Sequence, residues 1–360
     1  MKILHIHPTM RSGGIEAIIC ALVNEMSILH DVTMCTIFTP TASDVFYNKI
    51  SPRVHKKSIG KNQFGFSLRE IFKIYKLIKN GGFDVVHIHG CFYYYLLSVL
   101  LLHNKIKFFY TIHSNAYMEN VSWDKYLVRI KKLCFKKKWV RAVTISNASQ
   151  ESFYELYGCK SYMIYNGIEP PIPSDNIQIK DFKITTNTKV FIHPGRISEA
   201  KNQVVLCKVF ANLIKKGYDI ILVIYGGIED EKIYNEIKGY FSDRIRYNGI
   251  SNDIPSLMAQ ADAFVLPSIW EGLPVTLLEA LSVGCIPICS PVGGIVNVIE
   301  DGINGILSKS SDEADYYMAL DRFISMSDED IKSMRKAAIN SFEKYTIHNT
   351  SKEYIKAYLE

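Results

Sequence analysis

The most informative part of the sequence is residues 268–294, SIWEGLPVTLLEALSVGCIPICSPVGG, which follow the apolar run Ala263–Leu266. The apolar run predicts a buried strand, and the residues after it predict a loop, a helix and a second strand. Pro274 fits the first position of the helix, and Gly284 fits the position just past its end. Strand, helix and strand in this order form the repeating unit of an α/β fold with a parallel sheet.

Two carboxylates mark this stretch, Glu271 in the predicted loop and Glu279 on the predicted helix. Glu279 has apolar neighbours on both sides, and a carboxylate without a partner is costly to bury. Hydroxyl groups of a ligand bound above the sheet would supply the hydrogen-bond donors that it needs. The spacing alone leaves a second interpretation open, in which Glu279 faces solvent and Glu271 caps the helix.

Strand-like and helix-like segments alternate along the whole chain, which predicts an α/β protein with parallel sheets. The predicted strands are Lys2–His7, Asp31–Phe38, Val54–Ser58, Phe83–His89, Lys107–His113, Val140–Ile145, Tyr162–Tyr165, Lys189–His193, Ile220–Tyr225, Ile245–Tyr247, Ala263–Leu266 and Ile286–Cys289, with helices between them such as Ile15–Leu29 and Leu68–Lys79. The proline-containing segment Glu169–Asp175 predicts a linker. We therefore expect an N-terminal domain over residues 1–170 and a C-terminal domain over residues 171–343, with a helix at 344–360 that packs back on the N-terminal domain.

Glycine and polar residues gather after the predicted strands, where ligands of open α/β sheets bind. Ser12-Gly13-Gly14 follows the first strand and precedes a helix. Backbone N–H groups at such a turn can approach a phosphate, although an ordinary turn has the same sequence. The spacing differs from G-x-G-x-x-G, which argues against a dinucleotide-binding fingerprint.

The block PGRISEAKN at residues 194–202 places Arg196 and Lys201 on one loop between a strand and a helix. Two cations on one loop suit a pyrophosphate, because Arg offers a planar fork of donors and Lys a point charge. The alternative interpretation is a surface loop with two solvated cations.

The pair Glu271 and Glu279 forms an E-x7-E pattern, with Gly272, Leu273 and Pro274 directly after the first Glu. This pattern resembles the donor-site signature of the retaining glycosyltransferases of family 4, which have the GT-B fold. The other blocks follow in the expected order, so the resemblance covers essentially the whole chain. It implies two Rossmann-like parallel-sheet domains that face each other across a cleft.

The resemblance also implies roles for individual residues. Glu271 would face the donor sugar, and Glu279 would bind the ribose. His113 would contact a donor-sugar hydroxyl near the reacting carbon, although other histidines also end strands and position alone does not single it out. The remaining donor-binding residues that the resemblance implies are Gly13, Gly14, Arg196, Lys201, Gly226, Ile250, Gly272, Leu273 and Val275.

Two positions depart from the family pattern. Ile228 follows Gly226-Gly227 directly, which displaces the usual second glycine and leaves the contact to the nucleotide base open. Asn297 stands three positions after Gly293-Gly294, where the family commonly has Glu. This change removes a negative charge near the expected donor site without altering Glu271.

The net charge of +6 is unevenly distributed: residues 1–170 contain 22 Lys and Arg against 11 Asp and Glu, whereas residues 171–360 contain 20 against 25. The segment Lys125–Arg141 holds eight basic residues and no acidic one, with Trp123, Phe135 and Trp139 at or near it. Such a segment suits an anionic membrane surface, and a solvated basic helix is the alternative. No recognition motif for nucleic acid accompanies it, so a nucleic-acid partner is not expected.

The sequence favours a cytoplasmic protein. Met1–His7 is already strand-like rather than a signal peptide, and the longest apolar stretch, near Leu96–Leu102, is too short to cross a bilayer. The eight cysteines form neither C-x2-C pairs nor a dense disulfide pattern. We expect a cytoplasmic location with peripheral contact at the inner face of the cell membrane.

Taken with the resemblance, these features predict a retaining transfer of a sugar from a nucleoside diphosphate donor, with UDP favoured and GDP second. The acceptor would be a hydroxyl of a glycan or of a polyprenyl-linked sugar in capsule, O-antigen or exopolysaccharide synthesis. The chain is interpreted as offering no Asp-x-Asp metal motif, so neither an essential metal nor a cofactor is expected. A sugar-nucleotide epimerase of the same fold is the alternative, because fold alone does not decide the reaction, and a non-catalytic nucleotide-sugar binder is a third hypothesis.

Overall fold

A computed structural model describes residues 1–11, 13–63, 65–120, 122–174, 182–251 and 253–360, with the backbone alone at 122 and 123. Ser12 of the glycine turn, the Trp123 side chain and the end of the predicted linker at Asp175 lie outside the described residues. The chain divides into two compact units. Unit 1 comprises Met1–Glu169 together with Tyr345–Glu360, and unit 2 comprises Pro170–Lys344.

Within its described residues, unit 1 has a parallel seven-stranded sheet of order β3-β2-β1-β4-β5-β6-β7. The strands are β1 (Lys2–His7), β2 (Asp31–Phe38), β3 (His55–Lys61), β4 (Val85–Ile88), β5 (Lys107–Ile112), β6 (Val140–Thr144) and β7 (Tyr162–Met163). The helices are α1 (Gly14–Met26), α2 (Val45–Lys49), α3 (Leu68–Asn80), α4 (Leu96–Leu102), α5 (Val128–Lys136), α6 (Asn147–Tyr157) and, from the end of the chain, α13 (Ile347–Leu359). The central strands are buried on both faces, as expected of a parallel sheet covered by helices.

The C-terminal helix α13 is part of unit 1. Its residues Tyr354 and Tyr358 are buried in the same core cluster as Ile3 of β1 and Leu22 of α1. The chain reaches this helix through backbone hydrogen bonds from Ile168 N–H to the Tyr345 carbonyl and from Ile347 N–H to the Ile168 carbonyl.

In the described part of unit 2, six parallel strands form a sheet of order β10-β9-β8-β11-β12-β13. The strands are β8 (Lys189–Pro194), β9 (Ile220–Tyr225), β10 (Ile245–Tyr247), β11 (Ala263–Leu266), β12 (Ile286–Cys289) and β13 (Ile306–Leu307). The helices are α7 (Gln203–Lys215), α8 (Glu231–Lys238), α9 (Ile254–Gln260), α10 (Val275–Ser282), α11 (Glu313–Ile324) and α12 (Asp328–Phe342).

Each sheet has a topological switch point, next to which the strand order reverses. In unit 1, β1 pairs with both β2 and β4, and in unit 2, β8 pairs with both β9 and β11. The loops that leave the carboxyl ends of such strands diverge, which opens a crevice where α/β proteins bind ligands. The loops after β8 and β11 carry Arg196, Lys201 and Glu271.

The predicted elements and the observed ones differ mainly at their ends. Strand β3 runs over His55–Lys61 rather than Val54–Ser58, and the two-residue strand β13 is too short for a sequence pattern to reveal. The prediction that Pro274 occupies the first helical position is wrong by one residue, because Pro274 is the N-cap residue of α10 with an extended backbone. Gly284, just past the end of α10, has φ +71°, which suits the predicted terminator.

Candidate functional site

The centre of the site in unit 2 is an ion pair between the two loops that leave β8 and β11. Lys201 Nζ lies 2.5 Å from Glu271 Oε1, and the hydroxyl of Ser268 donates to the same oxygen at 2.7 Å. Both charged side chains are largely buried. Ser268 is held in turn through its carbonyl, which accepts a hydrogen bond from the hydroxyl of Ser290. Glu271 therefore has a fixed orientation, and the proposal that it merely caps α10 does not hold, since Pro274 is the N-cap.

The backbone around Lys201 is fastened to the loop that carries Glu271. Ile269 N–H donates to the Ala200 carbonyl at 2.9 Å. Asn202, which has φ +55°, donates from its side-chain amide to the carbonyls of Pro267 and Ser311. An asparagine tolerates this left-handed conformation better than most residues. The turn therefore presents Lys201 to Glu271 as a consequence of several local contacts that the sequence pattern did not reveal.

The backbone of the loop after β12 lies directly against the backbone of Glu271. Gly293 has φ +55°, and a Cβ atom at this position would lie 1.9 Å from the carbonyl oxygen of Glu271. The next residue, Gly294, donates its N–H to the Gly272 carbonyl. Only glycine allows the loop after β12 to pass this close to the E-x7-E loop.

Glu279 differs from Glu271 in that its carboxylate has no partner. It lies on α10, is half-buried, and forms neither a hydrogen bond through its side chain nor an ion pair with any described residue. Burial raises the pKa of Glu279 to about 7. A half-buried carboxylate without donors is a group that a ligand with hydroxyl groups would satisfy. Glu279 is thus only partly exposed to solvent, and its role as a ligand contact stays a prediction.

Arg196 and Lys201 do not share a partner in this structure. Arg196 is 73% exposed and forms an ion pair with Glu229, with Nη1 2.9 Å from Oε2, whereas Lys201 pairs with Glu271. The structure therefore does not bring the two cations of the predicted clamp to a common partner.

Three loops at the carboxyl end of the sheet lie against each other around Gly226. A Cβ atom at Gly226, which has φ +146°, would lie 2.0 Å from the Gly195 carbonyl oxygen. Gly226 N–H donates to the Gly249 carbonyl at 2.7 Å. The residue after Gly249, Ile250, is 78% exposed. The predicted donor-binding positions Gly226 and Ile250 thus lie in adjoining loops, with Gly272, Leu273 and Val275 leading into α10.

In unit 1, His113 follows β5 directly and is almost fully buried. Its Nε2 lies 3.0 Å from His89 Nδ1, and its backbone N–H donates to Glu119 Oε1 at 2.9 Å. Burial lowers the pKa of His113 to about 3, so the imidazole is neutral. A neutral histidine suits the predicted role of contacting a sugar hydroxyl and excludes service as a cation at neutral pH.

The predicted glycine turn lies next to a carboxylate that sequence reasoning missed. Gly13 precedes α1, which begins at Gly14, and a Cβ atom at Gly13 would meet the carboxylate of Glu16. The same carboxylate lies 3.7 Å from His7 Nε2. A phosphate at this helix N-terminus would have to displace Glu16, so Gly13 and Gly14 remain predicted rather than demonstrated ligand contacts.

The basic segment Lys125–Arg141 does not present all its charges to solvent. Lys131 is fully buried, which corrects the expectation that the whole segment forms a charged surface. Its Nζ donates to Asn120 Oδ1 at 2.9 Å and lies over the rings of Phe92 and Tyr110. The exposed charges of the segment are Lys125, Arg129, Lys136, Lys137 and Lys138.

The interpretation that the chain offers no Asp-x-Asp motif is wrong, because Asp328-Glu329-Asp330 is such a triplet, although it is not part of the predicted donor-binding blocks. It forms the first turn of α12, where the Ser327 hydroxyl donates to Asp330 Oδ2 at 2.7 Å. Acidic residues stabilise the N-terminus of a helix, which accounts for this triplet without a metal. No helix in the described part of the chain is long and apolar enough to span a membrane.

Unit 2 has a lysine–carboxylate pair in the loops after β8 and β11, and on α10 a carboxylate without a partner among the described residues. Together with the two parallel sheets, this arrangement fits the GT-B class of glycosyltransferases. A family model described as "Glycosyltransferase Family 4" matches residues 12–170, and one described as "Glycosyl transferases group 1" matches residues 174–341. The chain belongs to the family 4 glycosyltransferases, as the E-x7-E resemblance predicted.

Similar proteins are known from several bacteria. The chain is 27% identical over 298 residues to the Escherichia coli UDP-Gal:alpha-D-GlcNAc-diphosphoundecaprenol alpha-1,3-galactosyltransferase, with 76% of each chain covered. It is 25% identical to a Campylobacter jejuni alpha-1,4-N-acetyl-D-galactosaminyltransferase that acts on an undecaprenol-linked acceptor, over 100% of this chain and 99% of the relative. Among solved structures, Anabaena HepE in complex with UDP and glucose has a TM-score of 0.80 at 17% identity, with 99% of each chain covered. This last similarity confirms the fold.

Proposed function

We propose that the protein transfers a sugar from a nucleoside diphosphate donor to a hydroxyl group with retention of the anomeric configuration. The observation that carries this proposal is the contrast between the two carboxylates of the E-x7-E pattern. Glu271 is held by Lys201 and Ser268 at the end of β11, whereas Glu279 is half-buried and has no partner among the described residues. One carboxylate is thus oriented, and the other is left for a ligand.

The chemical difficulty of the reaction is charge separation, with positive charge building on the sugar ring and negative charge on the departing diphosphate. Arg196, Lys201 and the free N–H groups at the start of α10 near Val275 are the groups that would stabilise the diphosphate. Loss of one preorganised donor of this kind typically costs about 2.7–4 kcal/mol of activation free energy. Glu271 would orient the donor sugar and favour the developing positive charge.

Retention follows most simply from attack on the same face that the diphosphate leaves, with a phosphate oxygen accepting the proton of the acceptor hydroxyl. A two-carboxylate glycosidase mechanism is disfavoured, because Glu279 is assigned to the ribose. No step in this scheme requires a metal, so we expect activity in the presence of a chelator. His113 would contact a hydroxyl of the donor sugar as a neutral group.

The donor is proposed to be a UDP-sugar, with a GDP-sugar as the second candidate. The support comes from proteins of similar sequence or fold, since the Escherichia coli relative is named for UDP-galactose and HepE was solved with UDP. A thermal-shift panel with UDP, GDP, ADP and NAD tests the assignment. A ligand at 100 times its Kd adds about 2.7 kcal/mol of apparent stability, so UDP should raise Tm clearly. A shift with NAD alone would contradict the proposal.

The acceptor is proposed to be a lipid-linked glycan in bacterial polysaccharide assembly, bound by unit 1. Relatives named for undecaprenol-linked acceptors support this choice. Glu271→Ala should abolish formation of the glycoside while leaving UDP binding intact, and Glu236→Ala on the exposed face of α8 is the matched control. Conversion of the donor to its isomer without a new glycoside would instead indicate the epimerase alternative.

We further propose that unit 1 contacts the anionic membrane that carries such an acceptor. On α5, Ile130 and Leu133 are exposed one turn apart, and Tyr126 is exposed just before the helix. Arg129 and Lys136 on the same helix are also exposed. An exposed apolar strip flanked by cations fits the interface of an anionic bilayer, to which each nearby cation adds about 1 kcal/mol.

Sedimentation with vesicles tests the membrane contact. The protein should bind vesicles that contain phosphatidylglycerol at low salt and should detach as salt rises. Leu133→Glu should weaken this binding, whereas Ile339→Glu, at an exposed apolar position of unit 2, should not. Equal binding by both variants would remove the assigned surface, and binding of nucleic acid in place of vesicles would contradict the choice of partner.

A further inference from the structure

Five histidines cluster where the central strands of unit 1 end. His5 and His7 belong to β1, His87 lies on β4, and His89 and His113 directly follow β4 and β5. Because side chains alternate along a strand, His5 and His7 face the same side of the sheet, and His5 is the register partner of His87. The five imidazoles therefore share one face. The proposed function uses only His113.

Three of these side chains form a continuous hydrogen-bonded chain. His5 Nδ1 lies 3.1 Å from His89 Nε2, and His89 Nδ1 lies 3.0 Å from His113 Nε2. The inner end of the chain is His5 Nε2, a buried atom for which the described residues offer no hydrogen-bond partner. The outer end is Nδ1 of His113, for which the described residues provide no partner.

Further hydrogen bonds and a ring contact hold the residues around this chain. His87 lies between Tyr358 and Thr111, with its Nδ1 close to the Tyr358 hydroxyl and its Nε2 2.7 Å from Thr111 Oγ1, and its ring stacks on His89 at 4.2 Å. The carbonyl of His89 accepts a hydrogen bond from His7 Nδ1 at 2.7 Å. Burial lowers the pKa of His5 to about 3 and that of His89 well below its ordinary value, so each ring carries one proton.

With one proton on each ring, the two bonds must run in the same direction. If His5 donates from Nδ1 to His89, then His89 donates from Nδ1 to His113, and His113 keeps its proton on Nδ1 at the outer end of the chain. The reverse direction would leave an N–H group of His5 buried without an acceptor among the described residues. Buried N–H groups without acceptors are rare in proteins, whereas water or a ligand can reach the outer end more easily, since His113 is 8% exposed and His5 is not exposed at all.

A metal site is a weaker explanation of the same cluster. His5, His87 and His89 have nitrogens within 4.8 Å of one another. However, both nitrogens of His87 and of His89 already contact hydroxyl or imidazole partners, and the His87 and His89 rings are stacked with 27° between their planes. Ligands of one metal ion direct their lone pairs to a common point, which stacked rings do not do.

We propose that His89 and His5 are positioning residues that fix His113 in the tautomer with its proton on Nδ1. This inference deepens the proposed function and rests on it, because that function places His113 against the donor sugar. The relay makes His113 a neutral hydrogen-bond donor toward a sugar oxygen. Without the relay, His113 would be free to adopt the other tautomer, in which Nδ1 is a hydrogen-bond acceptor.

The test compares two neutral replacements of His89 by NMR on the 15N-histidine-labelled full-length protein. The amide nitrogen of Asn replaces Nδ1 of imidazole, so His89→Asn keeps the bond to His113, whereas Gln replaces Nε2, so His89→Gln loses it. The His113 signals, identified by their loss in His113→Gln, should show a protonated Nδ1 in the wild type and in His89→Asn. They should show a proton on Nε2 in His89→Gln.

The inference is overturned if the wild-type His113 proton lies on Nε2, or if the two His89 variants give the same spectrum. It is also overturned if one equivalent of Zn²⁺ shifts the signals of His5, His87 and His89 together. If His89→Gln does not fold, His5→Asn and His5→Gln make the same comparison one step further along the chain, because Asn again keeps the donor at the Nδ1 position.

Kinetics separate this inference from the proposed function. His89→Gln should lower kcat about tenfold with the donor KM unchanged, as expected for one lost hydrogen bond in the transition state, and His89→Asn should retain wild-type turnover. Equal Tm values for the two variants exclude a simple loss of stability as the cause. The expected spectra with unchanged kcat in His89→Gln would uphold the tautomer relay and overturn the role of His113 in transfer.

Discussion

Lys201 and Glu271 lie 70 positions apart in the chain, yet their side chains form an ion pair with 2.5 Å between Nζ and Oε1. The lysine predicted to bind the donor phosphate thus neutralises the carboxylate predicted to face the donor sugar. Each group orients the other, and the Ser268 hydroxyl is a second donor to the same carboxylate oxygen.

The ion pair should be energetically coupled. Lys201→Met leaves a largely buried carboxylate with one donor and should lower the free energy of unfolding by about 1–3 kcal/mol, less than for a fully buried pair because both groups retain some exposure. Glu271→Gln should cost a similar amount. In the double variant Lys201→Met with Glu271→Gln, urea denaturation should show a smaller loss than the sum of the single changes. Strict additivity would show that the pair contributes nothing to stability.

The carboxyl group of Glu279 should make stability depend on pH. Since burial raises its pKa from 4.5 to about 7, the folded protein binds a proton that the unfolded chain releases. The stability contributed by the protonated group is full below about pH 4.5 and is lost as pH rises through about 7. Glu279→Gln should therefore gain about 1–2 kcal/mol over the wild type between pH 5 and pH 8. Thermal melts of both proteins across this range provide the measurement, and parallel curves would contradict the assignment.

The close approach at Gly293 predicts a large effect of a single methyl group. Gly293→Ala places a Cβ against the Glu271 carbonyl, which cannot move without displacing the E-x7-E loop, and should cost about 3 kcal/mol or more. Gly217, with φ +93° and no atom within 4 Å of a Cβ, is the matched control. Gly217→Ala should cost only the left-handed strain of about 1–2 kcal/mol. Urea denaturation and turnover of both variants test this contrast, and equal losses would show that the contact is not strained.

The buried Lys131 of α5 should contribute to the free energy of unfolding, whereas its neighbour Lys132 should not. Burial lowers the pKa of Lys131 and raises those of Asp124 and Glu119, and its ammonium group opposes both carboxyl shifts. Lys131→Met should cost about 3–5 kcal/mol, because it leaves these acidic groups uncompensated. Without Lys131, the pKa values of Asp124 and Glu119 should rise further, because the ammonium group no longer opposes the shift. The loss of stability should therefore grow as pH rises, since these buried carboxyls must then ionise or stay protonated against the pH. The half-exposed Lys132→Met should change the unfolding free energy by less than about 0.5 kcal/mol. Similar effects of the two changes would refute the special role of Lys131.

The architecture could be predicted from the sequence because parallel strands buried on both faces are short apolar runs, and proline and glycine residues mark the ends of the elements between them. Pro274 and Gly284 bracket α10 in the sequence, and the structure moves the helix start by a single residue. Element ends were less predictable where pairing decides them, as in β3, which extends to Lys61 through its register with β2. The two-residue strand β13 exists only because β12 provides a partner.

The candidate site was predictable to the level of residue types at strand ends, but its partnerships were not. The E-x7-E spacing identified Glu271 and Glu279, whereas their different environments depend on loops far apart in sequence. Lys131 illustrates the same limit. The eight basic residues of its segment look alike in the sequence, and only tertiary packing buries one of them against the rings of Phe92 and Tyr110. Glu16 and Ser268 stood beside predicted positions, yet neither residue type is distinctive enough to be singled out.

The sequence by itself determined the α/β class, the division into two units along the chain and the types of residue that follow the strands. These features depend on periodicity and spacing, which are local properties of the chain. The tertiary structure alone decided that Lys201 pairs with Glu271, that Glu279 has no partner among the described residues, and that His5, His89 and His113 form one hydrogen-bonded chain. These relationships join residues brought together only by strand order and register. Burial then sets the charge state of each group, since the free energy of an ionised side chain depends on every neighbour that replaces water around it.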